Sequence, residues 1–206
     1  MNNMNNMNKL TSLASWLATI ALTFSMISSS FAQTGDIVIR TTVITASTHA
    51  SSKTLGLDVG NATSVAVDGT YFVTPNIGIN VLATFLNTEV KAKSLGSLGS
   101  VDLLPPIFTV QYHFAPEGQI RPYAGLGFNY NHFYHYSGTL KSVNAKIDDK
   151  VGFVAQLGLD YMLSKTLSLN ADLKYLDVRP DVKTTLGNDK LNLRATIFGV
   201  GLGYRF

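Results

Sequence analysis

From Asn192 to Phe206 the chain reads NLRATIFGVGLGYRF, and the residues alternate in character along this run. Phe198, Val200, Leu202, Tyr204 and Phe206 are apolar or aromatic, while Ala195, Ile197, Gly199, Gly201, Gly203 and Arg205 are mostly small. Successive side chains of a strand point to opposite faces, so the run predicts one greasy face and one lean face. A soluble sheet would bury the aromatic row and follow it with a turn. Here the chain stops on an aromatic residue after about ten membrane-length positions. That is the expected closing wall of a barrel set in a bilayer, with Tyr204 and Phe206 as its terminal aromatics.

The same alternation recurs upstream. Ile37, Ile39, Thr41 and Val43 oppose Val38, Arg40 and Thr42, which places Arg40 inward; Val65, Val67, Gly69, Tyr71 and Val73 oppose Ser64, Ala66, Asp68 and Thr70. Thr74-Pro75-Asn76 supplies a tight turn into Ile77 to Phe85, and Pro116 with Gly118 turns Ile107 to Phe114 into a strand from Arg121. Val151 to Leu163 is the cleanest alternation, and Ser164-Lys165 turns it into Leu167 to Tyr175. The Phe133 to Tyr136 cluster reads as an interfacial girdle. The connections 45–61, 87–104, a stretch ending at Lys150, and one around Pro180 and Gly187 read as long loops. Eight strands with long and short connections in alternation predict an all-β fold, an eight-stranded antiparallel transmembrane β-barrel of the outer-membrane type, both mature termini periplasmic.

Composition agrees. Charged residues are 14% and apolar ones 46%, yet no run of eighteen apolar residues exists beyond the amino terminus, which argues against membrane helices. The start carries Lys9, an apolar stretch from about Trp16 to Ile27, and Ser30-Phe31-Ala32, so residues 1–32 are expected to be a cleaved signal peptide and 33–206 the barrel. Losing Lys9 takes Lys+Arg from 16 to 15 against 13 acidic residues, a formal +2 that points to no nucleic-acid partner. With 0 Cys, thiol chemistry is excluded.

The inward faces predict a gradient along the barrel axis. Ile107, Val154, Leu176, Val178 and Ile197 belong near the long-loop end as an apolar vestibule, which the loop residues Leu98, Leu103 and Leu104 are expected to cover and complete. Arg40, Gln111, His113, Asp160, Asp172, Lys174 and Arg205 form a polar floor, in which charges of both signs pair as a lattice. Eight strands enclose room for side chains or one small ligand, not an aqueous pore. Inward glycines at 125, 127, 152, 158, 199, 201 and 203 either preserve space or permit close packing.

Several of these residues also carry a family pattern. Leu104-Pro105-Pro106, Gln111 to Phe114, Arg121-Pro122-Tyr123, Gly125, Gly127, Asn129-Tyr130, Gly158, Asp160-Tyr161 and Gly203 to Phe206 stand where it places them. The mature chain thereby resembles the outer membrane protein W (OmpW) family. The resemblance implies a narrow channel passing small, largely hydrophobic molecules across the outer membrane. The alternative is a structural, adhesive or receptor barrel with a filled lumen.

No catalytic assembly emerges: there is no Gly-x-Ser-x-Gly elbow, and no His tied by spacing to a Ser and a carboxylate. His132 and His135 are three apart, on opposite strand faces, which argues against a joint metal site. No cofactor is implied. The expected partners are small hydrophobic solutes, outer-membrane lipids and the barrel-assembly machinery, which would engage the C-terminal strand. Lys53, Lys91, Lys93, Lys141, Lys146, Lys150, Lys183 and Lys190 fall in the long connections, where lipopolysaccharide phosphates would meet them.

Overall fold

The computed structural model describes residues 34–52, 57–92, 96–142, 146–184 and 187–206. The expected signal peptide lies outside the described residues, as do Lys53 and Lys93. The strands are β1 (Ile37–Ser52), β2 (Leu57–Val59), β3 (Ala62–Phe72), β4 (Ile77–Thr84), β5 (Leu86–Ala92), β6 (Gly96–Leu104), β7 (Ile107–His113) and β8 (Ile120–Tyr134). A short helix, α1 (Gly138–Ser142), precedes β9 (Lys146–Ile147), β10 (Lys150–Met162), β11 (Leu167–Val178), β12 (Asp181–Thr184) and β13 (Gly187–Arg205).

Eight of these strands are staves of a closed antiparallel barrel, in the ring order β1, β3, β4, β7, β8, β10, β11, β13, with β13 pairing back to β1. Following paired residues once round the ring from His49 passes Arg194, Asp177, Phe153, Phe128, Phe108, Val81 and Gly69, and returns to β1 at Ile39. That stagger of ten residues, at a strand rise of about 3.3 Å and spacing of about 4.8 Å, tilts the staves by about 40°. Closure gives every stave a paired neighbour on each side.

Alternation is strict through the staves. Val43, Val65, Val110, Leu126, Leu157 and Phe198 are all more than half exposed on the outside, while their sequence neighbours Thr42, Ala66, Gln111, Gln156 and Ile197 are buried. Only a hydrocarbon surround makes that outer surface favourable, since each such side chain would otherwise forfeit roughly 1.5–3 kcal/mol of burial.

The long connections differ from the expected loops. β1 runs on to Ser52, 87–104 is largely the β5/β6 hairpin, the third connection holds α1 and β9, and the fourth holds β12. In β5 the alternation continues but reverses in sense: Leu86, Thr88 and Val90 point inward, and Asn87, Glu89 and Lys91 outward. These extensions stand beyond the apolar belt, where water replaces lipid. The expected aromatic girdle is also corrected. Phe133 is buried inside with Leu103 and Leu140, and half-buried Tyr136 packs against the same cluster, its hydroxyl accepting from the Ile147 amide at 3.1 Å.

Candidate functional site

The barrel interior has two sections. At the short-turn end the lumen is closed by a hydrogen-bonded ionic lattice. Arg40 on β1 donates to both carboxylate oxygens of Asp160 on β10, from Nη2 at 2.8 Å and Nε at 3.2 Å, and from Nη1 to Asp68 at 3.2 Å and Thr70 at 2.8 Å. Asn80 supports Asp68 at 2.6 Å, and Asn170 supports Asp160 at 2.8 Å. Tyr123 joins them: Asn170 donates to its hydroxyl, His113 stacks on its ring with centroids 4.9 Å apart, and the Arg40 guanidinium lies 5.6 Å from its centroid. Higher up, Gln111 and Thr109 both donate to Gln156, which donates to Asp172, the ion-pair partner of Lys174. At the mouth Arg205 meets Asp36 at 3.3 Å.

The structure places Arg40, Gln111, His113, Asp160, Asp172, Lys174 and Arg205 inside, all of them buried. Lys174 marks the upper limit of the lattice rather than its base: it pairs with Gln156 on one side, but its other partner Ile197 and the next inward pair above, Val154 with Leu176, are apolar. Asp68, Asn80, Tyr123 and Asn170 complete the lattice. Their inward parity was readable from the sequence, but nothing in it distinguished the residues that bridge the lumen from those that line it.

Above Lys174 the interior is mainly apolar, continuous from Ile44, Ala66, Leu82 and Ile107 up to Leu140, Val182 and Leu191, with Thr84, Thr88, Asn129 and Asn131 also buried there. Of the predicted vestibule, Leu103, Ile107, Val154, Leu176, Val178 and Ile197 are buried there, and Leu98 packs on the cluster from above. Leu104 is corrected: alternation after buried Leu103 turns it outward, opposite exposed His132. Within the apolar section lies a cavity of about 50 Å³ bounded by residues including Ala46, Leu86, Leu103, Pro105, Leu176 and Ile197. None of the seven inward glycines lines it. They serve close packing instead: a Cβ on Gly127 or Gly201 would strike the Phe108 or Thr41 carbonyl of the neighbouring stave.

Beside this cavity the wall is weakened. β4 and β7 pair only as far as Leu82 with Ile107, and β5 and β6 resume at Leu86 with Leu103. Between them residues 83–85 face 104–106 without ladder pairing, and Pro105 and Pro106 have no N–H to offer. The Phe85 carbonyl accepts from the Ser64 hydroxyl at 2.6 Å instead. Pro105 bounds the cavity from within, while Phe85 on the facing segment is 59% exposed on the outside.

The long-loop end is covered. Gly99 of β6 and Gly138 of α1 meet backbone to backbone, the Ser137 amide donates to the Ser100 carbonyl at 3.0 Å, and α1 thereby lowers Leu140 onto the apolar cluster. His135 lies past the end of β8 with φ 49° and approaches Asp102, whereas His132 donates from Nδ1 to Asp149 at 2.8 Å. The two histidines face different carboxylates.

A sequence profile described as the OmpW family matches residues 33–206. Outer membrane protein W of Salmonella typhimurium is 30% identical over 207 residues, covering 92% of this chain and 98% of that protein. The solution structure of Escherichia coli outer membrane protein W superposes with a TM-score of 0.63 at 27% identity, covering 84% of this chain and 99% of that one. OprG of Pseudomonas aeruginosa shares the fold with a TM-score of 0.72 at 24% identity, covering 87% of this chain and 99% of that one.

Proposed function

This chain belongs to the OmpW family of outer-membrane barrels, and from that premise we propose that it passes small, largely hydrophobic molecules from its outer mouth sideways into the membrane. The observation that carries this reading is the position of the apolar cavity, above a closed ionic lattice and directly behind the unpaired wall at Pro105-Pro106. A solute entering past Leu98 and Leu140 meets apolar side chains. Going further down would require it to strip buried charges from their partners, at a cost of several kcal/mol for each ion. Leaving through the wall costs no ladder hydrogen bonds, because none are made there. The orientation this needs puts the long-loop end outside and both mature termini in the periplasm. The reading assigns no catalysis to the lumen.

Vesicles carrying the folded barrel should take up a small apolar fluorophore faster than protein-free vesicles. Ile197→Trp, which fills the cavity, should abolish the difference, as should a disulfide joining cysteines placed at 84 and 105 once oxidised. Equal uptake with and without protein would remove the transport reading and favour a structural or receptor barrel, for which the packed lattice alone suffices.

A further inference from the structure

We propose that the outer wall carries a docking site for one phosphorylated lipid, with its phosphate on Arg179 and Arg194 and an acyl chain in a groove descending from them. The site faces lipid rather than the lumen. It rests on the transport reading only for orientation, which makes the lipid one of the outer leaflet.

Charge on the rim is mostly paired one to one. Lys183 meets Asp148 at 2.6 Å, Lys150 meets Asp181 at 3.3 Å, and Lys91 meets Glu89 at 3.0 Å. Arg179 and Arg194 instead share a single carboxylate, Asp177, at 3.3 and 3.6 Å. Two guanidinium groups on one anion leave a net positive charge. Both approach Asp177 through Nε, and their side chains are 67% and 61% exposed, so the terminal nitrogens of each fork are open to another anion. A guanidinium fork matches phosphate oxygens in pairs, as a lysine point charge does not.

The second observation is independent of charge. A groove of about 890 Å³ crosses the apolar belt, within the range of roughly 300–1,000 Å³ found for ligand clefts. Ala124 and Ala155 make its floor, and Leu126 and Leu157 flank it. Its upper end is the cross-strand pair Tyr175 and Thr196. The next outward pair above them is Asp177 and Arg194. The cationic head on β11 and β13 therefore adjoins the upper end of an apolar trough whose floor lies on β8 and β10, with Tyr175 at the junction, the placement aromatic residues favour at a membrane interface. A free phosphate would use only the head; a chain-bearing phosphate uses both.

The test uses the mature barrel in neutral phosphatidylcholine nanodiscs doped with either bisphosphorylated or dephosphorylated lipid A, with retained lipid counted by native mass spectrometry. The wild type should retain the phosphorylated form about tenfold better, the worth of one charge-assisted contact. Arg179→Gln with Arg194→Gln should bring the two forms level. Ala155→Phe should reduce retention of both, and Lys91→Gln should change neither. Folding of each variant is checked by its heat-modifiable gel shift. A double variant that keeps the wild-type preference overturns the phosphate seat. Undiminished retention by folded Ala155→Phe overturns the groove, and displacement of bound lipid by soluble glucosamine 1-phosphate overturns lipid docking in favour of a bare anion site. None of these readings depends on solute uptake.

Discussion

The ring of Tyr123 lies over Gly158, its cross-strand partner on β10, so closely that a Cβ on Gly158 would overlap the ring. Glycine here makes a socket for the aromatic side chain, and the same ring carries the stacked His113 and the Asn170 hydrogen bond. Gly158→Ala should expel the ring and destabilise the barrel by about 1–3 kcal/mol, the range for overpacking a filled interior. Urea unfolding in lipid vesicles measures it. An unchanged midpoint would mean that the ring has another place to go.

Arg40 binds two buried aspartates, so Arg40→Leu leaves Asp68 and Asp160 uncompensated and should cost about 3–5 kcal/mol. Adding Asp68→Asn and Asp160→Asn should restore most of that loss. A triple variant no more stable than the single one would show that the arginine acts through packing rather than charge.

Leu157 is 61% exposed at the middle of the apolar belt, with Leu169 and Val200 at 43% and 42%. Arginine at 157 should cost about 2–4 kcal/mol in bilayers. The same substitution at exposed Glu89, beyond the belt, should be close to neutral in the same unfolding assay.

Asp149 is held below the usual carboxylate range chiefly by the hydrogen bond from His132, which burial opposes and the hydrogen bonds from Tyr130 and the Phe133 amide reinforce. A depressed carboxyl contributes stability that is complete above its unfolded pKa of about 4 and disappears as pH falls through its lower folded value. Unfolding midpoints followed from pH 7 down to pH 2 should therefore drop less steeply in Asp149→Asn than in the wild type below pH 4. Parallel curves would remove Asp149 from the acid response.

Gly99 combines φ +125° with a Cβ direction aimed at the Ser137 carbonyl, so Gly99→Ala should detach α1 from β6. Hydrogen exchange at Ser137 should rise while the staves remain protected. Uptake of an apolar probe should rise with it if α1 covers the entrance.

The staves were legible because lipid outside and packing inside impose opposite demands on alternate residues over eight segments. The polar extensions were not, and β5 shows why. Leu86, Thr88 and Val90 alternate with Asn87, Glu89 and Lys91 as regularly as any stave, but with apolar residues inward, the sense proper to water. A reading keyed to apolar-out strands registers such a segment as a loop. Phe133 was misplaced for a related reason, since an aromatic cluster past a stave looks like a girdle whichever way its members point. The interior gradient could be read from parity and distance to the turns. The link from Arg40 to Asp160 could not, because it joins strands three staves apart in the ring and 120 residues apart in the chain.

The ladder between β1 and β13, running from Val38 with Arg205 to Ser52 with Leu191, fixes the order in which the barrel can be made. Its fifteen residue pairs join the two ends of the described chain, whereas β3 to β4 or β10 to β11 join segments separated by a few turn residues. Hairpins close quickly, and contacts of high sequence separation wait on the entropy of gathering everything between them. The β1/β13 ladder is therefore expected to form last. Until it closes, β1 and β13 each present a bare edge, the form most exposed to pairing with the wrong chain.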